Sequence, residues 1–269
     1  MAVNETDEAG MSTNTSLSGR VALVTGATRT IGIGAATCRR LAAAGADIAF
    51  THYLAYDAEM YGAPDDGPDT LQEELEASGV RVLSLPVDLS QPNVAPGLFD
   101  RVAGELGQVD ILVNNAAYST HDAWDTLTEA SLDMHIAVNY RATAMLTVEF
   151  ARRYEGTSGR VINFSSGQHL GPMPDELAYA GSKGAIIAFS TSISPSLAAR
   201  GITINVVNPG PTDTGWMDDD LREALVKVTP AGRVGMPDDA ARLVAWLASD
   251  EAAWITGQVI NSEGGFLRG

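Results

Sequence analysis

Tyr179 and Lys183 stand four residues apart in the run Ala178-Tyr179-Ala180-Gly181-Ser182-Lys183. On a helix that spacing puts both side chains on one face, within reach of each other. A nearby ammonium favours the phenolate over the phenol, so the pair predicts a tyrosine that exchanges a proton near neutral pH. The pairing is conspicuous, because Lys183 and Lys227 are the only lysines in the chain. The plainer reading is a solvated lysine beside a packed tyrosine. Ser166 lies at the end of the apolar run 160–166, which reads as a buried strand and places a hydroxyl upstream of the pair. Asn139 falls inside a long helical pattern over 131–154.

These side chains need a scaffold. Strand patterns recur at 20–25, 47–51, 81–87, 110–114, 160–165, 203–207 and 258–261. Helical patterns lie between them at 34–44, 70–78, 95–106, 131–154, 176–200 and 238–249. Such alternation indicates parallel crossover units, hence an α/β fold with a doubly wound parallel sheet of Rossmann type. Ligands bind such sheets beyond the carboxyl ends of the strands, where most of the candidate residues fall.

A chain of 269 residues, 45% of them apolar, can bury one core as a single domain. Residues 1–18 are polar, without a basic start or an apolar segment, and read as a disordered tail ahead of a catalytic domain over 19–269. No run approaches the ~18–20 apolar residues of a membrane span. Cys38 is the sole cysteine, which excludes an internal disulfide, suits a reducing cytoplasm and reads as a buried structural thiol. A net charge of −17 argues against nucleic-acid and anionic-membrane partners. Neither His121 nor His169 has metal-ligand spacing, so no metal site is expected.

In chain order, Thr25-Gly26 with Gly32-Ile33-Gly34, Asp88, Asn114-Asn115-Ala116-Ala117, Asn139, Ser166, Tyr179-x-x-x-Lys183, Asn208-Pro209-Gly210, Ile255-Thr256-Gly257-Gln258 and Gly264-Gly265 follow one another. This succession resembles the short-chain dehydrogenase/reductase family, over about residues 19–265. The resemblance implies hydride transfer with a nicotinamide cofactor. Tyr179 would be the general acid in reduction and the base in oxidation. Lys183 would lower its pKa and bind the nicotinamide ribose, and Ser166 would hold the substrate oxygen. Asn139 would hold a water linking Lys183 to solvent; without the resemblance it reads as a helix asparagine satisfied by backbone.

The same resemblance implies a cofactor site made by Gly26, Thr28, Arg29, Gly32 and Ile33 in the glycine loop. His52 and Tyr53 follow the second strand, Asp88 and Leu89 the third, and Asn115, Ala116 and Ala117 the fourth. Pro209, Gly210, Thr212 and Thr214 would grip the carboxamide side. Thr30-Ile31 is a two-residue insertion in the loop, and Ala117 stands where a glycine is usual. No carboxylate occurs at Thr51, His52 or Tyr53, where one would hold the ribose 2′-hydroxyl, and Arg29 offers a positive partner for a 2′-phosphate. NADP(H) is therefore expected over NAD(H).

Gln168, His169, Met173, Trp216 and Met217 are the expected substrate lining. The expected reaction interconverts a small-molecule ketone and a secondary alcohol. The 3-oxoacyl-(acyl-carrier-protein) reductase branch is the alternative. An acidic surface would repel acidic carrier protein, and Pro195-Ser196 stand where those reductases commonly carry Arg-Glu. A non-catalytic cofactor sensor is a further alternative on the same fold. The resemblance also implies a homotetramer, with Leu146, Phe150, Ile187 or Phe189 at subunit contacts. The segment 54–69 reads as a surface loop. Residues 211–228 read as a substrate lid, with a fixed helix as the duller reading.

Overall fold

The computed structural model describes residues 15–62 and 66–266. Aliphatic runs form seven strands: β1 (Val21–Val24), β2 (Asp47–His52), β3 (Val82–Pro86), β4 (Ile111–Asn114), β5 (Gly159–Phe164), β6 (Ile202–Asn208) and β7 (Val259–Asn261). They pair in parallel in the order β3-β2-β1-β4-β5-β6-β7. Parallel neighbours need crossovers, and helices supply them. After β1 comes α1 (Ile33–Ala43), and after β2 come α2 (Leu54–Tyr61) and α3 (Gly67–Ala77). Next are α4 (Val94–Glu105), α5 (Glu129–His135), α6 (Thr143–Arg153), α7 (Leu177–Ala198), α8 (Asp219–Val228) and α9 (Pro237–Ala248).

Alternate strand residues face opposite sides of the sheet. Ala22, Val24, Ile48, Phe50, Ile111 and Val113 pack with Cys38 and Leu41 of α1 and with Val244 and Leu247 of α9. Val21, Leu23, Ala49 and Leu112 pack on the other face with Leu98, Val102, Leu146, Phe150 and Leu197. Both faces are covered, which is the condition under which all-parallel sheets occur.

Four expectations change. Leu17 is fully buried and its N–H donates to Ala44 O at 2.7 Å, so the fold begins inside the expected tail; residues 1–14 lie outside the described residues. The expected loop 54–69 folds as α2 and the start of α3, because Leu54, Ala55, Ala58, Glu59 and Met60 favour helix; residues 63–65 lie outside the described residues. The helix expected over 131–154 is interrupted by a π-helical turn at Ile136–Ala142. A single wide turn leaves no mark on a 3.6-residue pattern. Leu146 and Phe150, expected at subunit contacts, are each 1% exposed and face the sheet. Among the other residues expected there, Ile187 and Phe189 are half-buried, and Phe189 packs edge-on against Tyr140.

Phe150 stacks on Tyr154 with ring centroids 5.3 Å apart, inside the core. Phe150→Ala is expected to lower unfolding free energy by about 3–5 kcal/mol, the usual loss for a buried phenylalanine. Its mass by light scattering is expected to stay that of the parent. A changed mass at unchanged stability would return Phe150 to an interface.

Candidate active site

β1 and β4 are neighbours whose chains turn away in opposite directions, and a crevice opens between them. Thr25 and Asn115 stitch its floor. Thr25 Oγ1 accepts from Asn115 N at 3.0 Å and from Ala116 N at 3.1 Å. Asn115 Nδ2 donates to Thr25 O at 2.9 Å and to Gly26 O at 2.8 Å. The fit leaves no room for side chains at two glycines. A Cβ on Gly26, where φ is +74°, would lie 2.6 Å from Ala116 Cα, and one on Gly34 would lie 2.4 Å from Gly26 O. The inserted Thr30-Ile31 forms a turn closed by the Gly32 N–Arg29 O bond at 3.0 Å, with Ile31 exposed to solvent. No side chain caps α1, whose first residues border the crevice. Its uncapped amides and its dipole suit an anion such as a diphosphate.

Beyond the ends of β4 and β5 the side chains expected to transfer a proton meet. Lys183 is 2% exposed, its Nζ donates to Phe164 O at 3.1 Å, and it lies 5.5 Å from the centre of the Tyr179 ring. Burial lowers the Lys183 ammonium to about 8. Tyr179 hydrogen-bonds Ser166, yet burial first, and the Glu176 charge second, push its phenol well above the ordinary tyrosine value. This corrects the expected proton exchange near neutrality. Desolvation disfavours the phenolate more than the Ser166 hydrogen bond favours it.

Asn139 sits in the π-helical turn, fully buried behind the cavity wall. Its amide is engaged: Nδ2 donates to Tyr118 O and Ser182 Oγ, each at 2.9 Å, and Oδ1 accepts from Tyr118 N at 2.7 Å. It fastens the loop after β4 to α7.

The N-terminus of α7 has no cap of its own. Asp122, 5% exposed on the loop after β4, supplies one from a distance. Its carboxylate accepts from Leu177 N at 2.6 Å and Ala178 N at 3.2 Å. A charge-assisted cap in the same turn as Tyr179 sets the height of α7.

One cavity of about 1140 Å³ joins these parts. All the residues expected to hold the cofactor line it, from Gly26, Thr28, Arg29, Gly32, Ile33, His52 and Tyr53 to Pro209, Gly210, Thr212 and Thr214. Ser166, Tyr179, Lys183, Met173 and Trp216 line it as well. Gln168, His169 and Met217 do not. A tight 3-10 turn over Gly167–His169 leads the chain away, His169 is exposed, and Met217 is packed beneath at 6% exposure. After β3 Asp88 is half-buried; desolvation pushes its carboxyl up, but hydrogen bonds from Ser90, Gln91 and Tyr53 hold it below the ordinary range. His52 is lowered by burial, against the pull of the Asp69 charge, and its Nδ1 is buried without a partner.

Residues that the sequence reading did not select also line the cavity: Tyr56, Asp57, Met60 and Tyr61 of α2, Tyr118 and His121 after β4, Met134, and Glu176. Burial raises Glu176, partly offset by the charge of His121. Helical spacing of Tyr56 with Met60 and of Asp57 with Tyr61 is the signal that could have found α2. α8 begins at its own cap, Asp218 Oδ1 to Leu221 N at 2.8 Å, and Arg222 ties it to Asp213 at 2.7 Å.

The family model described as Enoyl-(Acyl carrier protein) reductase matches residues 26–267. The chain is 50% identical over 253 residues to the uncharacterized oxidoreductase YjdA of Bacillus subtilis (strain 168), covering 93% of this chain and 98% of that one. The chain belongs to the short-chain dehydrogenase/reductase family. Within this family it is 34% identical over 260 residues to the 3-oxoacyl-(acyl-carrier-protein) reductase FabG of Escherichia coli (strain K12), covering 92% and 97% of the two chains. A solved structure, a blue fluorescent protein from a metagenomic library in complex with NADPH, superposes with a TM-score of 0.84. That protein is 35% identical, and the match covers 93% of this chain and 99% of the other.

Two measurements probe this geometry. Folded Lys183 loses its proton near pH 8 and unfolded lysine near pH 10.5, so between them the unfolded state binds more protons and stability rises with pH. Lys183→Met is therefore expected to be the more stable protein at about pH 7, by up to about 3 kcal/mol, with the gap closing toward about pH 10. Urea denaturation at both pH values checks this; a gap independent of pH would refute it. Asp122→Ala is expected to lose about 1–2 kcal/mol of stability and roughly tenfold in kcat, with Asp122→Asn retaining most of both. Equal loss in the two variants would mean that the cap is not the cause.

Proposed function

We propose that this oxidoreductase is an NADP(H)-dependent carbonyl reductase, acting on a small-molecule ketone or, in reverse, on the secondary alcohol. The observation that carries the reading is a half-buried Tyr179, hydrogen-bonded to Ser166 beside the Lys183 ammonium, on the wall of the dinucleotide crevice.

Bound in that crevice, the nicotinamide supplies the hydride in reduction and takes it in oxidation. The chain's own groups handle the oxygen. Ser166 Oγ–H donates a hydrogen bond to the carbonyl oxygen and stabilises the charge that grows there. Tyr179 then gives its proton to that oxygen. A phenol held above its ordinary pKa stays protonated at neutral pH, which supports reduction as the working direction. Lys183 stabilises the phenolate left behind, and Asn139 keeps α7 in register with the loop after β4.

NADP(H) is proposed over NAD(H) because His52 and Tyr53 leave the end of β2 without a carboxylate, and the similar NADPH-bound structure supports the same choice. On the substrate side Leu221 and Leu225 of α8 border the cavity with Trp216 and Met173, while Asp219 and Asp220 stay outside, as a covering lid would place them. Glu59, Asp175 and Glu176 on the rim disfavour anionic acyl carriers. A free ketone fits these walls better than a carrier-bound 3-oxoacyl group.

Tyr179→Phe is expected to cut kcat by at least ~10³-fold while the affinity for reduced dinucleotide stays within about twofold, since only the proton donor is lost. In the parent, kcat for reduction is expected to fall as pH rises through about 8, where Lys183 loses the charge that stabilises the phenolate. A ketone panel followed at the reduced-nicotinamide absorbance checks both. Near-parental kcat in Tyr179→Phe would sink the mechanism. Tight cofactor binding without turnover of any carbonyl would favour a sensor.

A further inference from the structure

The crevice has two lips, the glycine loop that leaves β1 and the loop that leaves β4, and α2 is fastened to both. On the first lip, Arg29 Nε meets Asp57 Oδ1 at 3.1 Å and the Arg29 guanidinium lies 3.7 Å from the centre of the Tyr61 ring. Arg29 Nη1 also donates to Thr214 O at 2.7 Å, on the loop after β6. On the second lip, the Tyr56 hydroxyl donates to Ser119 O at 3.4 Å and accepts from Ser119 N at 3.2 Å. The Tyr56 ring packs 5.5 Å from that of Tyr118. Asp57 and Tyr61 thus stand over the glycine loop.

Two properties distinguish α2 from a fixed wall. None of its residues is buried, so it adds nothing to either core and lifts at the cost of the Tyr56–Tyr118 ring contact and its polar fastenings alone. Its hold on the first lip is an ion pair whose partners are 17% and 13% exposed, partly desolvated and therefore stronger than a surface pair. Gly62, at a φ of +57°, ends the helix in the left-handed conformation that releases the chain from it.

We propose that α2 is a strap across the dinucleotide crevice, with Arg29, Asp57 and Tyr61 as its fastening, and that it controls cofactor release. The proposal rests on the reading of the crevice as a nicotinamide-dinucleotide site. A dinucleotide lying between His52 and Pro209 passes under α2, so entry and exit require the Arg29–Asp57 pair to part. In this arrangement the Arg29 charge is already balanced by Asp57, and its main contribution is retention of either dinucleotide rather than choice between them.

The test uses the full chain loaded with NADPH or with NADH, and stopped-flow displacement followed by dinucleotide fluorescence. Asp57→Asn, Tyr61→Ala and Arg29→Ala are each expected to release both dinucleotides at least ~10-fold faster than the parent. Unchanged release from Asp57→Asn overturns the strap. So does acceleration of NADPH alone in Arg29→Ala together with slower NADPH release from Asp57→Asn, which would assign Arg29 to the 2′-phosphate. Binding of neither dinucleotide to the parent would overturn the dinucleotide reading itself, and is distinguishable because no loaded protein forms.

Discussion

The hydrogen bonds between Thr25 and Asn115 hold β1 and β4 together at the place where the connections on either side depart in opposite directions. A parallel sheet ends there in unpaired backbone, and water or a ligand must satisfy it unless side chains do. One threonine hydroxyl and one carboxamide satisfy much of it. The result is a floor so tight that Gly26 touches Ala116 and Gly34 touches Gly26, which in turn brings the first amides of α1 to the rim. The cradle for a dinucleotide and the platform under the proton-transferring groups are thus consequences of one contact. Loosening it would widen both at once.

Above that floor, the site works by keeping charge where water is scarce. Lys183 is held by a single carbonyl, Phe164 O, at the end of β5, and so its position is set by the sheet rather than by a counter-ion. Tyr179 hangs from a helix whose first turn is anchored by Asp122, fifty-five residues earlier in the chain. Both groups therefore project from α7, with Lys183 tethered to the sheet through Phe164 O, and their placement over β5 depends on how α7 seats against the loop after β4. Asn139, in the π-helical turn, completes that seating by donating to Ser182 Oγ on α7.

The residues that react were legible in the sequence because chemistry and clearance dictate their types. A phenol, an ammonium and a hydroxyl are each hard to substitute, and only glycine fits where Cβ would meet backbone. The strands were legible too, since both faces of the sheet are apolar. α2 was not, because a helix that buries nothing shows only the faint i, i+4 spacing of Tyr56 with Met60 and of Asp57 with Tyr61, beside a run rich in Pro and Gly. Gln168 and His169 were misplaced because nearness to Ser166 in sequence says nothing about which way a 3-10 turn sends them. The Asp122 cap and the raised phenol were hidden for a shared reason. Both depend on what lies beside a residue in space, and the chain brings those neighbours from far away.

Cys38 lies fully buried in α1, and burial lifts its thiol far above the usual range. Thiol reagents attack the thiolate, so this cysteine is inert while α1 rests on the sheet and becomes reactive when the helix lifts away. Because it is the only cysteine, covalent labelling carries a single, assignable signal. The rate of that labelling is a clock for the opening of the same helix whose first turn faces the crevice, and occupation of the crevice slows the clock without any chemistry at Tyr179.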